Sequence, residues 1–507
     1  MKLSSSKILA KTIHYFRTLS DKEKIFLVSL IVLGFVLAYL FGFSQYALFP
    51  LTNKKNVFSE GVFEKISTLN PIFPRNQSES SISMLLYPPL FSFYDKKSFI
   101  LKNFMPSQDK LSYFVEIDKN KKWSDGASLS IDDIDFSFQL YKSFSPKSLR
   151  DYFKNVDFEI INETSGVFKL KFNDNLFEER LSQLRILPSK WWRKFSQDMW
   201  FSDNLEVYKV GFFYQLYDWK SKDNEIIEFR FRKNDYLKET KNSFAEVIFK
   251  VYPDYIRALH SLLKGEIDAL ANVKPESLNL LSPNRFNFYN FELPKIIFIT
   301  FNKEKIENPP KLNINFSLIN QKVFSGYAFK LDGVFPTKLR KILGLSHPKK
   351  PELNSDFKEF QIIAPEDGIT SLIARLIAED NKHMKVKFVR SEEIPKIIES
   401  KNYEALLIGI DYGFPPNLPY FWSKLGLFLN NKEDKYLEKQ FQNLILEPQE
   451  SLKDVWLNIE EAIMENGDNI FLFTPPFIYV VNSKINISAP EFLAQPAYRF
   501  IDFIYWR

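Results

Sequence analysis

Residues Phe360–Tyr412 read FQIIAPEDGITSLIARLIAEDNKHMKVKFVRSEEIPKIIESKNYEALLIGIDY. Three strand-like apolar runs, FQIIA (Phe360–Ala364), KVKFV (Lys385–Val389) and ALLIGI (Ala405–Ile410), alternate here with two helical patterns. Ile369, Leu372, Ile373, Leu376 and Ile377 recur at helical spacing and mark one face of the first helix. Ser391 is placed to cap the second, which carries Ile394, Ile397 and Ile398. The order β-α-β-α-β predicts parallel strands joined by right-handed crossovers, because parallel neighbours cannot be linked by a tight turn. Ligands of open α/β sheets gather at the carboxyl ends of the strands. The third strand ends at Asp411-Tyr412, so Asp411 is a candidate ligand group; the alternative is a turn or cap aspartate.

Upstream, Lys122–Tyr141 reads KWSDGASLSIDDIDFSFQLY, with four aspartates close together. Ser124-Asp125-Gly126 is turn chemistry, Ser130 suits an N-cap, and Asp133 stands three residues later as in a capping box. Ile131, Ile134, Phe138 and Tyr141 then follow at helical spacing. The order of acids is not that of a calcium loop. These carboxylates are expected to start a helix and to do no chemistry. Tyr113–Ile117, Phe168–Phe172 and Glu225–Phe231 have strand patterns, and a helix before Tyr87 is stopped by Pro88-Pro89. The stretch from Ser243 to Leu270 reads as a strand, a helix ended by Gly265, and a short strand.

With 507 residues, 45% hydrophobic and 26% charged, the chain is long enough for more than one domain and has ordinary globular composition. A net charge of +6, with bases and acids interspersed, gives no basic stripe for nucleic acid. Cysteine is absent, which excludes disulfides, thiolate metal sites, a cysteine nucleophile and a lipidated cysteine. The four histidines show no zinc-ligand spacing, so neither a metal nor a cofactor is expected. From Ile25 to Asn53 no charged residue occurs, and Ile25–Phe43 is apolar all round. At about 1.5 Å per residue such a helix nearly spans a hydrocarbon core of roughly 30 Å. Lys2, Lys7, Lys11, Arg17, Lys22 and Lys24 precede it, against only Asp21 and Glu23. The positive-inside rule then places residues 1–24 in the cytoplasm, a transmembrane signal anchor over 25–45, and a tether over 46–56 leading to an external domain. The rival is a cleaved signal peptide, for which SQYALFP is a poor cleavage site.

Eight segments, in order, resemble the family 5 extracellular solute-binding proteins of ABC transporters, the oligopeptide-, dipeptide- and nickel-binding group. They are STLNP (Ser67–Pro71), YPPLFSFYD (Tyr87–Asp95), KWSDGASLSIDDIDFSF, ILPSKWW (Ile186–Trp192), FRFRKNDY (Phe229–Tyr236), LLKGEIDAL (Leu262–Leu270), FITFN (Phe298–Asn302) and IDYGFPP (Ile410–Pro416). The resemblance implies a bilobed α/β clamp of the periplasmic-binding-protein type II kind, with mixed sheets and an inserted subdomain. Lobe one would cover 57–300, with the insertion at about 86–204, and be completed by about 486–507. Lobe two would cover 301–485. A peptide or similar small solute would be held between the lobes and passed to permease subunits. In the family's peptide binders the Asp of a D-Y-x-x-P segment pairs with the peptide α-amine, and Asp411-Tyr412-Gly413-Phe414-Pro415 matches it. Tyr412, Trp422 and Tyr87 would then supply aromatic walls. The chain departs from the family at Phe212, where a small residue is common, at Ile408, where Trp is frequent, and in Asn313–Gly326, which lacks the usual Arg.

Two other functions stand against this one. Ser261–Lys264 fits S-x-x-K and Ser202–Asn204 is S-D-N, as in penicillin-interacting serine enzymes, but the order is reversed and K-T-G is missing, so no catalytic residue is assigned. The other rival is a surface receptor or scaffold that keeps the fold and has lost transport.

Overall fold

The computed structural model describes residues 20, 21, 23, 56–91, 98–237, 244–349, 359–366, 368–413, 416–423, 426–428, 435–446, 452–465, 468–487 and 504–506. The expected anchor over 25–45, nearly all of the cytoplasmic segment 1–24, and all of the tether except Asn56 lie outside the described residues. Among the described residues no helix is long and apolar enough to cross a membrane.

From Asn56 onward the chain builds two mixed sheets. The first has seven strands in the order Phe286–Phe291, Phe477–Asn482, Ala269–Leu270, Val57–Val62, Glu246–Val251, Glu225–Lys233 and Tyr214–Lys222. Val57–Val62 runs parallel to both its neighbours, while the outer pairs are antiparallel. The helix Tyr255–Lys264 returns the chain between parallel strands and ends at Gly265, whose φ of 73° is the left-handed cap that glycine adopts without a Cβ clash. Between strands of this sheet a four-stranded antiparallel sheet is inserted, in the order Leu101–Pro106, Ser112–Ile117, Ser165–Leu170, Val156–Asn162. Its buried residues are continuous with the core of the first sheet.

The second sheet has six strands in the order Phe329–Lys330, Asn469–Thr474, Lys295–Phe301, Ala405–Asp411, Phe360–Pro365 and Met384–Val389. The last three are mutually parallel, as the β-α-β-α-β pattern requires. Lys295–Phe301 is antiparallel to Ala405–Asp411. Side chains alternate across a strand, so the sheet has two faces. Ile296, Phe298, Leu406, Ile408 and Tyr412 share one core with the helices Leu418–Trp422, Lys435–Leu446 and Leu452–Met464. Ile297, Ile299, Phe301, Ala405 and Leu407 share the other with the helices Phe316–Phe324 and Gly368–Asp380. Aromatic rings fill both: Phe298 alone lies within 5.4–5.7 Å of Trp422, Phe428 and Phe471. Each fully buried Phe contributes about 1.5–3 kcal/mol, so the phenylalanines buried in these cores have a packing role.

The chain passes between the sheets twice among the described residues, at Glu292–Pro294 and at Pro475-Pro476. The strands flanking these crossings pair with each other on both sides, Phe286–Phe291 with Phe477–Asn482 and Lys295–Phe301 with Asn469–Thr474. The chain therefore leaves one sheet for the other at these two points.

Two local expectations are corrected. In the helix Gly368–Asp380 the buried residues are Ser371, Ile373, Ala374 and Ile377, while Ile369 and Leu372 are exposed. Ser391 does not cap the next helix; it opens a 3-10 turn, Ser391–Glu393, and the helix begins at Ile394 with Pro395 in its first turn.

Candidate functional site

The aspartates of the SDG region form a brace, as expected. Gly126 has φ +84° in the turn. The helix Ile131–Phe144 follows, and the buried Asp133 carboxylate accepts hydrogen bonds from Ser130 N–H at 2.9 Å, Trp123 Nε1–H at 3.0 Å, and the N–H and hydroxyl of Ser189 at 2.8 and 2.6 Å. Burial pushes its carboxyl above the usual aspartate value, and the bonds from Ser189, Trp123 and Ser130 oppose that rise. Asp132 pairs with Arg193, Asp125 accepts the Ala127 N–H, and Asp135 accepts from Gln139. Asp132 and Asp133 hold Ser189 and Arg193 to the start of the helix, while Asp125 and Asp135 make local bonds within the turn and the helix.

Asp411 has a different setting. It ends the strand Ala405–Asp411 and lies on the face of Ala405 and Leu407, beyond the apolar core that covers them. A third of its side chain, 33%, stays accessible. One carboxylate oxygen accepts the Gly413 N–H at 3.0 Å, across a turn in which Gly413 has φ +65°. The other stands 3.9 Å from Lys295 Nζ. The surrounding protein raises the Asp411 carboxyl above its ordinary value, opposed by the Lys295 ammonium and then by the Gly413 N–H. Asp411 adjoins the first crossing: Lys295 is its cross-strand partner, and Tyr412 N–H donates to Pro294 O at 3.1 Å.

Behind this edge lies a rigid, dry support. Tyr412 faces the opposite side of the sheet from Asp411 and is buried, its hydroxyl donating to Val334 O at 3.3 Å. Near it, the buried Arg340 and Glu460 form an ion pair. Arg340 also donates to Ser346 O, and Glu460 accepts the Phe335 N–H at 3.2 Å. A Cβ at Gly333 would stand 2.2 Å from Glu460 Oε1, so only glycine lets the chain pass there. Glu292, buried in the first crossing, accepts the Lys338 N–H at 2.5 Å and so ties the crossing to the second core.

The aromatic residues expected to wall the site are placed otherwise. Tyr412, Trp422 and Tyr87 are all buried, so none offers a ring surface in this conformation. Tyr412 and Trp422 share the core behind Asp411, where Trp422 packs against Phe298, Phe421 and Phe428. Tyr87 belongs to the core of the first sheet, where it ends the helix Gln77–Leu86 and meets Trp192 edge-on at 6.0 Å. Of the departures, Phe212 is a core residue against Trp123, and Ile408 is buried among the helices of the second sheet. Gly211 keeps the family-like glycine because a Cβ there would lie 2.0 Å from Tyr214 O. Gly409 and Lys295 beside Asp411 were not singled out from the sequence. A lone glycine inside ALLIGI was the available signal for the first; cross-strand register, which the sequence does not display, was needed for the second.

A cavity of about 530 Å³ lies elsewhere, at the amino ends of the strands that start at Phe360 and Met384, next to Asp380 and His383. It is at the other end of the parallel strands from Asp411. Among the described residues no cluster of His, Asp and Glu has the makings of a metal site.

The model of the bacterial extracellular solute-binding proteins, family 5 Middle, matches residues 100–352. The chain belongs to the family 5 extracellular solute-binding proteins. As a family 5 solute-binding protein it is a binding protein of the ABC-transporter class and not an enzyme. Solved structures share its fold. The ABC transporter substrate-binding protein CtaP from Listeria monocytogenes aligns with TM-score 0.74 and 17% identity, over 89% of this chain and 99% of that one. NikZ from Campylobacter jejuni, solved with Ni(L-His), gives 0.64 and 20%, over 89% and 99%. The oligopeptide-binding protein AppA from Bacillus subtilis, solved with a nonapeptide, gives 0.64 and 16%, over 89% and 99%. A search of curated protein sequences finds no relative.

Proposed function

We propose that this family 5 protein is the membrane-anchored receptor of an ABC importer, capturing a peptide or similar small solute between two lobes and delivering it to a permease. The observation that carries the reading is Asp411, an accessible carboxylate at the carboxyl edge of the second sheet, beside the first of two paired crossings. The paired crossings are suited to act as a hinge, and a solute bound against Asp411 would be enclosed when the first sheet closes over it. The carboxylate receives a cationic group, most simply an α-amine. Such a charge-assisted contact contributes about 1.5–3 kcal/mol net. The nonapeptide and nickel–histidine relatives support a small polar solute as the cargo class. Residues 25–45 hold the receptor at the membrane, with residues 1–24 inside and the domain outside.

The test is to unfold the purified protein, identify by mass spectrometry the solute it releases, and titrate that solute back by calorimetry. A released solute carrying an amine, bound again one to one, supports the reading. A protein that releases nothing and takes up neither peptides nor amino-group solutes contradicts it. The anchor is tested separately: N-terminal sequencing of the mature protein should find the uncleaved start, and a start near Leu51 would show cleavage instead.

A further inference from the structure

The immediate neighbours of Asp411 narrow the kind of solute that fits. Lys295 and Asp411 are directly opposed in the antiparallel pair, so their side chains leave the same face of the sheet. They are 3.9 Å apart, 34% and 33% accessible, and form a loose pair in which both charges still face solvent. A solute with only an ammonium group meets Lys295 as a like charge beside its partner. A solute with an ammonium and a carboxylate close together can lie antiparallel on the pair and satisfy both.

Gly409 supplies the space. It precedes Asp411 by two residues, so it lies on the same face, and it is exposed. A Cβ there would meet only Ile296 O and Ile297 Cγ1, both at an ordinary 3.7 Å, and its φ is not in the left-handed region. Neither packing nor backbone geometry therefore requires glycine at this position. A bare strand surface beside a charged pair is where a ligand can approach the backbone.

We propose that Lys295, Asp411 and the open surface at Gly409 form a receptor for an α-amino-acid head, with the solute's ammonium on Asp411 and its carboxylate on Lys295. This rests on the reading that Asp411 faces the solute. Spacing selects the class. In an α-amino acid the nitrogen and the carboxylate carbon are roughly 2.5 Å apart, and each further residue of an extended peptide adds about 3.5 Å. The 3.9 Å between the Lys295 and Asp411 charges is nearer the first separation than the roughly 6 Å that one further residue would give. The solute is thus a free amino acid, or a conjugate that keeps both groups on one carbon.

The test is calorimetry on the full chain in detergent, with the proteinogenic L-amino acids and the matching Xaa-Ala dipeptides as probes. The best-binding amino acid is then compared with its amide and its N-acetyl form. We expect an amino acid to bind at least about tenfold tighter than its dipeptide. Amidation should cost the wild type about tenfold or more and cost Lys295→Met little, while N-acetylation costs both. Gly409→Val should lose binding without a change in melting temperature. Dipeptides binding as tightly as the amino acids, or amidation costing wild type and Lys295→Met equally, overturns the proposal. If N-acetylation remains costly in that case, the role of Asp411 stands and only the zwitterion reading falls. If N-acetylation costs the wild type nothing, the role of Asp411 itself falls. Failure of every probe to bind overturns the proposal too.

Discussion

Asp411 was readable from the sequence because a fully apolar run can end in a charge only where the strand leaves the core. Its partners were not, because Lys295 lies far away in the chain and reaches it only through antiparallel register. The burial of Tyr412 has a local reason: it follows Asp411 directly, and adjacent strand residues point to opposite faces. Tyr412 therefore packs among the helices while Asp411 meets solvent. Asp411→Asn keeps the shape and the Gly413 contact but removes the charge. It should weaken solute binding about tenfold or more, with little change in melting temperature, when the two proteins are compared by calorimetry. The raised Asp411 carboxyl sets the pH dependence. Because only the carboxylate attracts an amine, affinity should begin to fall on acidification above the ordinary aspartate range near about 3.9, and the Asn variant should lack that fall. A wild-type affinity that stays constant down to that range would contradict the assignment.

Most elements could be read from local chemistry: the SDG turn, the helix ended by Gly265, and the three parallel strands. What could not be read was the rotation of a helix about its axis. In Gly368–Asp380 several aliphatic residues permit more than one face, and the sheet, through Ile373, Ala374 and Ile377, chose among them. At this scale Asp133 is the most exacting residue, since removing it strands buried donors on Trp123 and Ser189. Each stranded group costs about 1–3 kcal/mol, so Asp133→Ala should lose at least about 2 kcal/mol in urea unfolding; a loss near zero would mean the brace is not structural. Asp268 joins two strands of the first sheet by accepting the Ser59 N–H and hydroxyl at 2.9 and 2.7 Å. Burial raises its carboxyl, with Ser59 opposing. The folded state then holds this proton more tightly than the unfolded chain does. Its contribution to stability is present below the unfolded pKa and is lost as pH rises through the folded one. Asp268→Asn should remove that loss, so the stability difference between variant and wild type should shift in the variant's favour as pH rises from about 4; a difference independent of pH would contradict this.

On the scale of the molecule, two paired crossings join the sheets, and a second attachment lies outside them. Leu176, from the inserted region, is buried in the core of the second sheet, and Asn175 Nδ2–H donates to Ile445 O at 3.2 Å. This contact holds the inserted region against the helix Lys435–Leu446. If the crossings act as a hinge, Leu176→Ala should let the free protein open, giving a larger radius of gyration by small-angle scattering that shrinks when solute is added; an unchanged radius in both states would favour a rigid scaffold. The central claim is that the clamp recognises its solute through an amine on Asp411. The most direct measurement is a four-way calorimetric cycle, pairing wild type and Asp411→Asn with an amine-bearing solute and its N-acetyl form. The account predicts that acetylation costs the wild type about tenfold or more and the variant almost nothing. Equal costs in the two proteins would show that the amine binds elsewhere and that Asp411 is a structural strand end.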